Sequence, residues 1–398
     1  MRVCMLAYAF YENDTRIRQY ASALVERGDL VDVIALRREG QSAEDVVDGV
    51  HVYRIQTRTI NEQGPLAYLY RITRFLLLSS VVLAKKHLRH PYQVVHVHSV
   101  PDFLVFAALI PKLFGASVVL DIHDVLPELY ASKFNLKQNS ILFRLLALIE
   151  KLSAAFSNHV IIANDIWHRR LVSRSVRGDK CTTIRNYPDP RFFFPRPRNG
   201  SNGKFVIMYP GTLNSHQGLD VAIKAFAKIA PAIPHAEFHI YGEGPAKPGL
   251  MTLTDRLGLG DRVTFHDFLP TEQIAELMAK SDLGVEPKRA SSSFGNEASS
   301  TKILEFMAVG VPLVVSRTAI HTYYHDESTL KYFESDDESD LADAILLLKY
   351  DSRLRDEMVS NATRHVQINS WKVKKLEYLG LLDSLVAREL TQTARSQS

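Results

Sequence analysis

The sequence predicts two doubly wound α/β domains of similar size. Three observations carry this. Strand-length apolar runs alternate with helical stretches almost throughout. A stretch rich in Pro, Gly, Asn and charge divides them near the middle. The 398 residues suit two or three domains. In the first half the strand runs are "VCMLAYA", "LVDVIAL", "VHVYRI", "VVHVHSV", "SVVLDIH" and "HVIIAN". Short runs that are apolar throughout mark strands buried on both faces of a parallel sheet. "NYPDPRFFFPRPRNGSNGK" then reads as a linker. "KFVIMYP", "EFHIYG", "RVTFHDF", "LGVEP" and "PLVVS" build a second sheet. The expected domains are 1–186 and 204–368, joined by a linker over 187–203. An amphipathic helix fills 369–390, and a polar, frayed tail fills 391–398. Ligands of such sheets bind at the carboxyl ends of strands, so two facing domains make a cleft.

The formal charge of +4 is modest and argues against nucleic-acid binding. Two cysteines, Cys4 and Cys181, cannot build a disulfide framework and suit a reducing cytoplasm. The chain enters a strand at once, which leaves no room for a signal peptide. Its longest apolar run, "FLLLSSVVLA", is too short to span a bilayer. Arg71 and Arg74 precede that run, and Lys85, Lys86 and Arg89 follow it. Residues 68–89 therefore suit an interfacial helix on an anionic membrane, with an ordinary core-packed helix as the competing reading.

The richest stretch is "GNEASSTKILEFMAVGVPLVVS", Gly295 to Ser316. "ILEFMAV" has helical length, Ser299, Ser300 and Thr301 are N-cap candidates, and Gly310 with Pro312 stops the helix. Glu305 by itself is explained as a dipole partner in the first turns. Lys302 is not, because a cation opposes the dipole at that end. Free amides and a lysine bind phosphate, while Glu297 and Glu305 accept from hydroxyls. A nucleotide-sugar carries both kinds of group.

Elsewhere, Asn13 is a good N-cap, with Asp14 and Arg16 in the first turn that follows. Arg16 there is either an anion contact or part of a solvated face. "LDIHDVLPELY" ends a strand with His123 and Asp124, where chemistry gathers in α/β domains. His96 and His98 share one face of their strand as strand and cleft-edge residues. Without a third acid or Cys they make a weak metal signal. Gly242 and Gly244 in "YGEGP" read as a tight turn or a nucleotide contact.

The pair Glu297 and Glu305 (E-x7-E), followed by Ala308, Gly310 and Pro312, resembles the GT-B glycosyltransferases of the retaining family 4 type. "PGTLNSHQGLDVAIKAF", "YGEGP" and the C-terminal helix around Trp371 extend the likeness over nearly the whole chain. The resemblance implies that Glu297 meets hydroxyls of the donor sugar, Glu305 holds the ribose and Lys302 contacts the diphosphate, with Ser300 and Thr301 beside it. His123 would stand near the sugar. Arg16, Asp14, His98 and Asp124 would lie on the acceptor side. It implies a hexosyltransferase with a UDP- or GDP-linked donor as co-substrate, no cofactor and no metal; the chain carries no Asp-x-Asp motif. The acceptor would be a sugar or a lipid-linked sugar, and the enzyme would be cytoplasmic, at the inner face of the membrane.

The chain departs from the family at the loop after its first C-domain strand. There an Arg and a Lys usually grip the diphosphate. Here the loop is Gly211 to Gly218, with Thr212 and Gln217 in those places. Lys288, Arg289 and His216 remain as sources of positive charge. A catalytically weak partner subunit, a nucleotide-sugar epimerase of the same fold and a non-enzymatic nucleotide-binding module are the alternatives. The paired glutamates argue against the last, and the absence of G-x-G-x-x-G argues against a dinucleotide oxidoreductase.

Overall fold

The computed structural model describes residues 1–58, 65–134, 137, 140–197 and 203–397. The chain divides into two compact units, Met1–Asn186 with Lys372–Ser398, and Tyr187–Trp371.

The first unit is built on strands β1 (Arg2–Ala7), β2 (Leu30–Arg37), β3 (Glu44–Val47), β4 (Val50–Thr57), β5 (Val94–His98), β6 (Ser117–Ile122), β7 (His159–Ile162) and β8 (Cys181–Thr183). Their order is β3-β4-β2-β1-β5-β6-β7-β8, and β3 alone runs antiparallel to its neighbour. The central strands are buried along almost their whole length, as their largely apolar sequences require. β3 and β8, at the two edges, are short and carry polar residues, so no apolar run announces them. The register sets Ala7 beside His98, and His98 beside Asp121, across the carboxyl end of the sheet.

The helix Pro65–Arg89 passes over this sheet. Ile72, Phe75, Ser79, Leu83 and His87 are buried at intervals of three and four, which makes one face of the helix a core face. By length and composition its Ala67–Arg89 portion could cross a membrane. The helix Trp371–Gln397 belongs to this unit and runs on through the stretch expected as a polar tail. That stretch holds no Gly or Pro to stop it. Tyr378, Leu382 and Leu385 are buried.

The second unit carries β9 (Phe205–Pro210), β10 (Ala236–Tyr241), β11 (Val263–His266), β12 (Leu283–Glu286), β13 (Leu313–Ser316) and β14 (Lys331–Phe333). The order is β11-β10-β9-β12-β13-β14, with every pair parallel. The chain winds outward from β9 to β11, then returns to β12 and winds the other way. β9 and β12 therefore flank the topological switch point, where open α/β sheets leave a crevice.

Candidate functional site

At that switch point the loop after β9 meets the end of β12. Gly211 N donates to the Tyr241 carbonyl at 2.8 Å, and Leu213 N to that of Glu243 at 2.9 Å. Gly242 and Gly244 are required by this contact. A Cβ on Gly242, whose φ is +137°, would stand 2.0 Å from the Gly211 oxygen. One on Gly244 would stand 2.4 Å from the Leu213 oxygen. "YGEGP" thus shapes the β9 loop through backbone packing.

Beside the loop stands the helix Thr301–Val309, with Ser300 at its N-cap and left-handed Gly310 at its C-cap. Lys302, in its first turn, places Nζ 3.2 Å from Glu286 Oε2 and 4.9 Å from the centre of the Tyr209 ring. A Cβ on Gly211 would sit 3.1 Å from that same Nζ. Glu286 ends β12 and is wholly buried. Burial disfavours its charge, but Lys302 and Lys288 outweigh it and hold the carboxyl below its usual range. Burial likewise opposes the Lys302 ammonium, yet Glu286 raises its pKa overall. Both members are therefore ionised in the interior.

Glu305 lies three residues on, along the same side of the helix, and is half-buried. Burial pushes its carboxyl up to about 7, against the pull of Lys302 and the Thr301 hydroxyl. Glu297 is not in an open loop: it ends a short helix, Ser293–Glu297, capped by Ser292, and is half-buried.

The other expected sources of charge are engaged elsewhere. Arg289 clamps Asp220 through Nη2 at 2.6 and 2.7 Å and also pairs with Asp336. Lys288 is buried and its Nζ donates to the Ala298 carbonyl at 2.6 Å. His216 is kept neutral: burial first, then the charges of Lys288 and Lys302, lower its pKa to about 4. Thr212 is exposed, while Gln217 is buried with Nε2 3.4 Å from His216 Nε2. Lys302 brings its ammonium to the Gly211 end of the loop, while Arg289, held by its two acids, donates through Nε to the Ser215 carbonyl at 3.2 Å at the other end.

The first unit gathers a second cluster at the carboxyl ends of β5 and β6, around Asp121. Arg16 forks onto it, Nε to Oδ2 at 2.8 Å and Nη2 to Oδ1 at 2.6 Å, and Nη1 donates to Asn186 Oδ1 at 2.8 Å. Buried and paired in this way, Arg16 is neither a solvated residue nor an open anion contact. Asp14, not Asn13, caps its helix by accepting from Ile17 N at 3.1 Å. His98 Nδ1 and His123 Nε2 each lie 3.1 Å from Asp121 Oδ2. His98 is buried in the sheet rather than standing at an edge. His96 Nδ1 meets Tyr378 OH at 3.0 Å. His123 is the partly exposed ring, and its pKa is raised: burial opposes the charge, but Asp121 prevails. Burial drives His96 and His98 the other way. Asp124, just beyond, is half-buried. His96, His98 and Asp121 also bring ligand atoms within 4.8 Å of one another. Both carboxylate oxygens of Asp121 are already held by the Arg16 guanidinium.

Sequence reasoning missed Glu286 and Asp121. A signal existed in both: a single acid inside an otherwise apolar parallel strand, "LGVEP" and "VVLDI", is too costly to bury without a partner.

Two family models match. One, described as glycosyl transferases group 1, covers residues 192–365; the other, a glycosyl transferase 4-like domain, covers 14–187. Alpha-D-kanosaminyltransferase of Streptomyces kanamyceticus is 30% identical over 168 residues, 42% of each chain. The match thus spans less than half of that relative. Sulfoquinovosyl transferase of Arabidopsis thaliana is 22% identical over 95% of this chain and 75% of its own. Among solved structures, sucrose-phosphate synthase of Thermosynechococcus elongatus superposes with a TM-score of 0.77 at 16% identity, over 98% of this chain and 100% of that one. Anabaena HepE in complex with UDP and glucose gives 0.70 at 17%, over 96% and 100%. At these identities the superpositions speak for fold.

Proposed function

The chain belongs to the group 1 glycosyltransferases of GT-B fold, and from that premise we propose that it moves a hexose from a UDP- or GDP-linked donor to a hydroxyl acceptor. The transfer retains configuration, needs no metal and serves polysaccharide or glycolipid assembly. The observation that carries this reading is the Lys302–Glu286 ion pair at the β9–β12 switch point, under a helix N-terminus and one turn from Glu305. Nothing in the fold of the sheet needs a buried ion pair there, and an apolar pair of similar volume would be at least as stable. A ligand with a diphosphate makes sense of it.

In this reading the amides at Thr301 and the Lys302 ammonium hold the diphosphate, Glu305 accepts from the ribose hydroxyls and Glu297 from the sugar. The bond from the anomeric carbon to the phosphate oxygen breaks and its electron pair stays on the nucleoside diphosphate. Lys302 faces that growing charge without having to reorganise. The acceptor oxygen bonds the anomeric carbon from the same face and passes its proton to the departing phosphate. His123, oriented by Asp121, lies with Asp124, His98 and Arg16 on the acceptor side. Residues 68–89 bring the enzyme to an anionic membrane, in keeping with a lipid-linked acceptor and a place at the cytoplasmic face.

A weakly active partner subunit is the second reading, favoured by the neutral Thr212 and Gln217. A thermal-shift screen over UDP- and GDP-sugars tests the proposal, since a ligand of the folded state raises Tm. A Tm that no nucleotide-sugar moves would remove it. A donor that binds but is neither hydrolysed nor transferred would favour the second reading.

A further inference from the structure

The helix Ile141–Phe156 is built inside out. Its fully buried residues are Glu150, Ser153 and Ala154. Glu150 is tied down by Arg174, with Nε to Oε1 at 2.9 Å and Nη2 to Oε2 at 2.7 Å, and Arg174 also bridges to Glu128. Ile141, Leu145, Leu148 and Leu152 point the other way, while Leu146 shares the side of Glu150. Ile141 is 87% exposed, and Leu145, Leu148 and Leu152 are each about half exposed. Their spacing of four, three and four draws one straight stripe along the helix. A soluble surface seldom spends a whole apolar stripe this way.

The stripe has apolar neighbours. Phe106 packs edge-on to Phe156, ring centres 5.2 Å apart, and belongs to the segment Asp102–Ala108 that leads into the short helix Leu109–Leu113. Leu113 and Phe114 there are 71% and 66% exposed. Phe114 in turn approaches His87 of the helix Pro65–Arg89, whose outer side shows Leu77, Val81 and Leu88. Three adjacent segments thus present one apolar surface.

The exposed charges that these three segments themselves carry have one sign. Between residues 65 and 120 the single acid is Asp102, which is buried, and on the helix Ile141–Phe156 it is the buried Glu150. Arg74, Lys85 and Arg89 are exposed on the first helix, and Arg144 and Lys151 beside the leucine stripe. In an antiparallel pairing of two copies, Arg144 of one would face Lys151 of the other. A second copy therefore meets repulsion, while anionic headgroups meet attraction over an apolar layer.

We propose that these three segments form one membrane-docking face, in which the Ile141–Phe156 stripe enters the acyl boundary of an anionic bilayer alongside the helix Pro65–Arg89. The inference deepens the membrane contact proposed above for residues 68–89 and rests on it, with the stripe as a second point of insertion.

The test is co-sedimentation of the full chain with vesicles of phosphatidylcholine, with and without phosphatidylglycerol. Wild type is expected to bind the anionic vesicles alone, and more weakly at high salt. Leu145→Glu/Leu148→Glu is expected to lose about tenfold or more in vesicle affinity, the scale of two leucines no longer leaving water. Because both positions are exposed, its Tm should stay that of wild type. Wild-type binding left unchanged by this double variant, but abolished by Leu77→Glu/Val81→Glu, would overturn the second insertion point and leave the first standing. No wild-type binding would overturn both. A dimer in sedimentation equilibrium that Leu145→Glu/Leu148→Glu dissociates would assign the face to a second copy instead.

Discussion

Removing Lys302 has two consequences that must be separated. On the proposed function, truncation takes away the ammonium that faces the leaving group, so Lys302→Ala should lower kcat/KM about a hundredfold or more, the scale of losing about 3 kcal/mol of transition-state stabilisation. It also strands Glu286, a wholly buried carboxylate, and should lower Tm. Lys302→Met/Glu286→Gln removes both charges. It should recover most of the Tm and none of the turnover. Recovered turnover in the pair variant would show that Lys302 serves the fold alone. Glu305 gives a pH signature. Its carboxyl, ordinarily near 4.5, titrates at about 7 in the folded chain. The folded state holds that proton more tightly, so the group's contribution to stability is present below pH about 4.5 and is lost as pH rises through about 7. Glu305→Gln should therefore gain Tm relative to wild type between pH 5 and pH 8 while its donor affinity falls, by thermal scans and titration calorimetry. A Tm difference flat across that range would contradict the raised carboxyl.

Among the elements, the β9 loop shows how local backbone geometry fixes the site. Gly242→Ala should destabilise by more than about 2 kcal/mol, because its Cβ would meet the Gly211 carbonyl in a conformation that suits glycine. Gly249, inside the helix Lys247–Arg256, has open space around its Cβ position. There an alanine should stabilise by about 0.5–1 kcal/mol. Denaturant unfolding of the two variants checks both signs. The same contrast explains what the sequence made legible. Central strands such as β5 and β6 announce themselves because burial on both faces leaves a mostly apolar run. Edge strands β3, β8 and β14 are three or four residues long and mixed in composition, so their pairing is decided by neighbours. Lys302 and Glu305 were readable from spacing, since three residues on a helix share a side. Asp121 was not, because Arg16, which makes its burial possible, is 105 positions away. Nor could sequence tell that Arg289, Lys288 and His216 are taken up or neutralised by their surroundings.

At the scale of the whole molecule, positive charge at the site comes from a side chain and a helix N-terminus, and the one histidine–acid group with metal-ligand spacing among the described residues is clamped by Arg16. Transfer should then persist in excess EDTA. Turnover lost on chelation and restored by Mg²⁺ or Mn²⁺ would require a metal in the mechanism. The division of the chain carries a different consequence. Because the helix Trp371–Gln397 returns to the first unit, the polypeptide passes between the units twice, at Asn186–Tyr187 and at Trp371–Lys372. The second unit is thus a cassette spliced into the first. Its strands and its own core lie on one uninterrupted stretch of chain, whereas the first unit is completed only by its last helix. During synthesis the cassette can fold as soon as it emerges, while the first unit must wait for Tyr378 and Leu382. An exchange of second units between related chains needs two joints, and a chain cut after Trp371 would keep the unit that carries Lys302 and Glu286 whole and damage the unit that was made first.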